Sequence, residues 1–107
     1  MMPMKNQSEL DFILNQFEIP KLRLDRAIEA GPDERLYLLH DEQGHHFGVW
    51  ARDYMSESYI EAQNLSMNQN LEVAKWFKLK HAESSEGDGD DYMVYSDGAW
   101  YAVFLIQ

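Results

Sequence analysis

The sequence predicts an α+β domain, with an antiparallel sheet of four to five strands, two hairpins among them, packed against two to three short helices. Three observations carry that expectation. Apolar residues recur at a helical period in the first thirty positions, the pattern becomes extended from Arg35 onward, and two turn signals of hairpin type interrupt the extended segments.

Residues 1–7 are polar apart from their methionines and are expected to fray. Ser8-Glu9-Leu10-Asp11 opens a first helix, because a serine hydroxyl can accept an early backbone N–H and acids in the first turn suit the helix dipole. Leu10, Ile13, Leu14 and Phe17 form its apolar stripe, and Ile19-Pro20 ends it, since the residue before proline is pushed out of helical geometry. A second helix is expected from Pro20, with Leu22 near its start and Leu24, Ala27 and Ile28 as its buried stripe. Gly31-Pro32 would close it.

Arg35–His40 and His45–Ala51 read as strands joined by Asp41-Glu42-Gln43-Gly44, a hairpin. A further extended piece is expected over Ser58–Ala62. Ser66 and Gln69 have the spacing of a capping box, so a third helix is expected to run to about His81. Val73, Trp76, Phe77 and Lys80 would form its inner face, and His81 would meet its last carbonyls. Glu83 to Asp91 is an acidic loop without an apolar side chain. Tyr92–Tyr95 and Ala99–Ile106 form a second hairpin around Ser96-Asp97-Gly98. The closing strand is apolar on both faces, which makes it central and covered by helices on at least one side.

Size and composition bound the function. The 107 residues are 45% hydrophobic and 13% aromatic, which suits one folded domain over residues 1–107 rather than a disordered chain. With no cysteine there is no disulfide scaffold, thiol nucleophile or thiolate metal site. The apolar run Ala99–Ile106 falls far short of the roughly 20 residues of a membrane span, and the N-terminus lacks an apolar signal region. A cytoplasmic protein without a membrane partner is therefore expected.

Charge points to the partner. The 19 Asp and Glu against 9 Lys and Arg leave a net charge of −10. The acids Glu83, Glu86, Asp88, Asp90, Asp91 and Asp97 run through the last third without an intervening base. Such a field repels nucleic acid and steers the chain toward basic protein surfaces. With Tyr92 and Tyr95, which supply rigid contact area, these acids are the candidate partner-binding residues. The same composition also suits a solvated loop kept acidic for solubility. A calcium loop fits poorly, because Asp91 falls where the sharp turn requires glycine and Asp97 where a bidentate glutamate is needed.

His40, His45 and Asp41 flank the first turn. Two histidines facing each other across the hairpin beside a carboxylate would be the minimum of a metal centre, and hence of a metal-dependent enzyme; ordinary surface histidines are the alternative. The sequence has no Gly-x-Ser-x-Gly elbow, phosphate loop or His-Glu-x-x-His motif. No catalytic residue, cofactor or metal is therefore assigned.

Two stretches carry a resemblance. Leu36-Tyr37-Leu38-Leu39-His40-Asp41-Glu42-Gln43-Gly44, and Tyr59-Ile60-Glu61-Ala62-Gln63-Asn64 with Trp76, Lys78 and Gly87-Asp88-Gly89-Asp90-Asp91, resemble a family of small plasmid- and phage-borne proteins of unknown function. That likeness spans residues 22–97. Separately, the Asp41–Gly44 turn leading into Phe47-Gly48-Val49-Trp50 resembles bacterial immunity proteins of the SMI1/KNR4 type, acidic α+β domains that bind toxins. Both resemblances imply a binder encoded in conflict between mobile elements and hosts. The expected function is a non-catalytic phage or plasmid inhibitor that blocks the basic nucleic-acid-binding surface of a defence complex, of anti-CRISPR or anti-restriction type. The alternative is a toxin-neutralising immunity protein.

Overall fold

A computed structural model describes residues 7–19, 21–53, 60–80 and 90–107. Helix α1 (Gln7–Asn15) precedes strands β1 (Arg23–Glu29), β2 (Glu34–His40) and β3 (His46–Asp53). Helix α2 (Ile60–Asn68), β4 (Val73–Trp76), a single 3-10 turn (Asp90–Tyr92), β5 (Val94–Ser96) and β6 (Ala99–Ile106) follow. The strands form one six-stranded sheet in the order β1-β2-β3-β6, every pairing antiparallel. β4 and β5 lie end to end along the far edge of β6: β4 pairs with its last residues and β5 with its first. The α+β class and the central position of the closing strand are as the sequence predicts.

The strand period of two assigns side chains to two faces. Tyr37 and Leu39 of β2, Val49 and Ala51 of β3, and Tyr101 and Val103 of β6 pack with Leu10, Ile13 and Leu14 of α1 and with Phe17 in the turn after it. Leu36, Trp50, Ala102 and Phe104 face the other way and pack with Ala62 and Leu65 of α2. Each helix thus covers its own face, and the sheet is the middle of three layers. Gly48 of β3 stands opposite Phe104 of β6, whose ring lies where a Cβ at position 48 would be. Trp76 packs on that ring from β4 at a centroid distance of 4.8 Å.

Five expectations are corrected. Leu24, Ala27 and Ile28 belong to strand β1, not to a helix, and Gly31-Pro32 sits in the turn joining β1 to β2. The cause is a β-bulge: Leu24 pairs with Leu39 and Arg26 with Leu38, leaving Asp25 as the extra residue. It sets Leu24 and Ala27 on one face at a spacing of three, with Ile28 on the other, so the segment imitates a helical period. Val73, Trp76 and Phe77 repeat the effect. They lie on or just after β4, where the register shifts between Val73 and Lys75, so Val73 and Trp76 share the α2 face and Phe77 the α1 face.

The third correction concerns Ser66. It is in the last turn of α2 instead of capping a new helix, and its hydroxyl donates to the Gln63 carbonyl at 2.9 Å. That helix closes through Asn70 in the left-handed region (φ 60°), with the Leu71 N–H returning to the Ser66 carbonyl. The fourth is the extended piece over Ser58–Ala62, whose described residues, Ile60 to Ala62, begin α2. Ser8 is also one residue inside α1 rather than ahead of it. The Pro20 helix start, the Glu83–Gly89 part of the acidic loop and His81 lie outside the described residues.

Candidate functional site

The hairpin registers gather charge at one end of the sheet. β2 begins at Glu34, which pairs with Arg52 near the end of β3; Asp53 of β3 pairs with Ala99 at the start of β6; and Ser96 of β5 pairs with the same Ala99. The ends of these strands therefore lie side by side, joined by Glu29 at the end of β1 and by the adjoining turns that hold Asp33 and Asp97. The first turn of α1 adds Glu9, which accepts from the Ser96 hydroxyl at 3.2 Å, and the first turn of α2 adds Glu61.

Two arginines tie this end together, one on each face. On the α1 face Arg35 is buried and donates through both terminal nitrogens to Asp53, at 3.0 and 3.2 Å, and through Nε to the Tyr37 hydroxyl at 3.1 Å. Burial opposes its charge, but the hydrogen bonds to Asp53 and Tyr37 outweigh that and raise its pKa above the ordinary arginine value. Its planar fork makes the two-point contact that a lysine cannot. Nearby, the Tyr101 hydroxyl is buried without a hydrogen-bond partner among the described residues. Burial, and then the Glu9 carboxylate, push its pKa far above that of an ordinary phenol, so it stays neutral.

On the α2 face Arg52 lies 3.0 Å from Glu61 and 3.8 Å from Glu34, while the Trp50 indole N–H donates to Glu34 at 2.8 Å. Ala30, Asn64, Leu65 and Asn68 complete a cleft of about 360 Å³ over this group. Further along the same face the register runs Glu34, Arg52, Trp100, Tyr95 across four strands. Tyr95 is 57% exposed and its ring lies 5.1 Å from that of Trp100. Both arginines of this end are thus engaged by its own carboxylates, and among the described residues the acids of this end outnumber its cations.

The residues singled out from the sequence are distributed unevenly here. Glu83, Glu86 and Asp88 lie outside the described residues, and Asp90 opens the 3-10 turn. The Asp91 carbonyl accepts the Leu79 N–H at 2.8 Å, and Lys78 Nζ sits 5.5 Å above the Tyr92 ring. Tyr95 and Asp97 belong to the acidic end. Asp97 (φ 52°) and Gly98 (φ 84°) are both left-handed, the geometry of the tight hairpin turn that the Asp-Gly pair predicts. Glu9, Glu29, Asp33, Glu34, Asp53 and Glu61 were not singled out. Carrying the first hairpin's register back from its turn pairs Glu34 with Arg52 and was the available signal.

The histidines sit at the opposite end, and the hairpin does not bring His40 to His45. His40 pairs in register with His46, and its Nδ1 meets Asp25 on β1 at 2.6 Å. His45 Nδ1 meets Asp41 at 3.0 Å. Asp41 also accepts the N–H groups of Gln43 and His45, at 2.9 and 2.8 Å. Its desolvation is outweighed by these bonds to His45 and Gln43, which hold its pKa below the ordinary aspartate value. No group of three or more His, Asp or Glu side chains is placed to hold a metal among the described residues. None of the described helices is long and apolar enough to cross a membrane. In comparisons with known proteins, no family model, no curated protein and no solved structure matches this chain.

Proposed function

We propose that this protein is a small acidic inhibitor that acts by binding, occupying the basic nucleic-acid-binding surface of a host defence complex on behalf of a phage or plasmid. One observation carries the proposal. Glu9, Glu29, Asp33, Glu34, Asp53, Glu61 and Asp97 are gathered at one end of a sheet, and the arginines present there are already engaged. Carboxylates on a rigid sheet end offer a basic groove an alternative to phosphates, and they speed encounter with it by long-range attraction. Competition of this kind requires no bond-making.

The test is a plating assay in bacteria that carry an active CRISPR or restriction system and are challenged with a phage that system targets. The protein should restore plating. A Glu29→Gln, Asp33→Asn, Asp97→Asn variant, which removes charge without touching the arginine ties, should lower binding to the isolated complex about tenfold at low salt. Phage that stay fully restricted against both classes of system overturn the proposal.

A further inference from the structure

We infer that the pair of exposed Tyr95 and half-buried Trp100 is the anchor of the acidic end and that it receives an arginine side chain of the partner protein; this rests on the function proposed above. The molecule shows what its aromatic surfaces attract. Lys75 Nζ lies 5.0 Å over the Phe77 ring and Lys78 Nζ 5.5 Å over Tyr92. Each of those rings has its cation from within the chain. Tyr95 and Trp100 have none over them among the described residues, and the nearest arginine in the row, Arg52, is turned to Glu61. Tyr95 is nonetheless one of the most exposed large apolar side chains of the described surface.

The surroundings select the occupant. Tyr95 stands on an edge strand two residues from exposed Asp97, with Ser96 between them turned to the other face, where it contacts Glu9. A cation reaching the ring pair thus enters a negative field before it meets the rings. The rings are inclined at 57°, which forms an open notch rather than a closed stack. A planar, weakly hydrated guanidinium can lie on one ring while directing its N–H groups at neighbouring carboxylates, whereas an ammonium holds its water more tightly. Aromatic anchors of this type carry a large share of binding energy at protein interfaces.

The experiment compares an arginine decapeptide with a lysine decapeptide of equal charge, titrated into the full chain at low salt. Trp100 indole shifts in NMR spectra locate the contact. The arginine peptide should bind about 3- to 10-fold more tightly, move the Trp100 indole signal and lose that preference on Tyr95→Ala, with lysine-peptide binding unchanged. Tyr95→Phe should keep the preference. Equal binding of both peptides, or a preference that survives Tyr95→Ala, overturns the anchor while leaving the acidic-end function standing. If neither peptide binds, the function proposed above falls with it. Position 95 is exposed, so an unchanged thermal midpoint verifies that Tyr95→Ala is folded.

Discussion

The two ends of the sheet solve the same problem with different chemistry. Near the second hairpin the strand ends are tied by guanidinium groups: Arg35 to Asp53 on one face, Arg52 to Glu61 and Glu34 on the other. Near the first hairpin the ties are imidazoles, His40 to Asp25 and His45 to Asp41. Arginine keeps its charge at every working pH, whereas histidine is the residue type that changes charge near neutrality. The ties of the acidic end are thus arginines held by carboxylates, and those of the opposite end run through histidine rings.

The largest effect should come from the sheet between the two ends. Gly48→Ala places a methyl group against the buried Phe104 ring, which Trp76 holds in place, and should cost about 3 kcal/mol in urea unfolding. A second change, Phe104→Leu, should recover part of that loss, and strict additivity of the two would rule out the proposed clash.

Next is the arginine end. Arg35→Ala leaves the Tyr37 hydroxyl and the Asp53 carboxylate without their donor and should cost about 2 kcal/mol, less than a fully buried pair because Asp53 is partly in water. That cost should be the same at pH 6 and pH 8.

The histidine end should respond more weakly and at acid pH. Because the Asp41 pKa is depressed in the fold, its contribution is fully present above the ordinary value of 3.8 and is lost as pH falls through the lower folded value. Unfolding curves of the protein and of Asp41→Asn should therefore differ at pH 6 and converge in strong acid. A constant gap would mean that the carboxylate charge contributes nothing.

The smallest effect at neutral pH belongs to Tyr101→Phe, which removes a buried hydroxyl that has no hydrogen-bond partner among the described residues. Stability should stay within about 0.5 kcal/mol or rise slightly. Its pH signature lies at the other extreme. A raised phenol pKa stabilises the fold below the ordinary value of 10.0, and this stabilisation is lost as pH climbs beyond it. The variant should escape that alkaline loss, measured as the urea midpoint at pH 9 and pH 11.

What the sequence reveals and conceals follows from the bulges. The interior strands β2, β3 and β6 alternate cleanly or are apolar throughout, and both expected hairpin turns are present, so class, central strand and hairpins were legible. Both segments misread as helices are outer strands, β1 and β4, each with one extra residue: Asp25 in the first and Ala74 in the second. An extra residue turns a spacing of two into a spacing of three, which pattern reasoning assigns to a helix. The site was half legible for a related reason. Tyr95 and Asp97 are marked by composition and by the Asp-Gly turn. Glu34, Asp53 and Glu61 become neighbours only through register and through the return of α2 onto the sheet, which no local pattern encodes.

The position of β6 bears on how the protein is made. It pairs with β3 on one side and with β4 and β5 on the other, yet among the described strands of this sheet it comes last in the chain. At about 5–20 residues per second, roughly 3–10 s separate the completion of β3 from that of β6. Until β6 is complete, the β3 edge that it covers in the finished sheet lacks its partner. A chaperone that shields extended backbone, or a slow codon placed elsewhere than in this stretch, would raise the yield of correctly assembled chains.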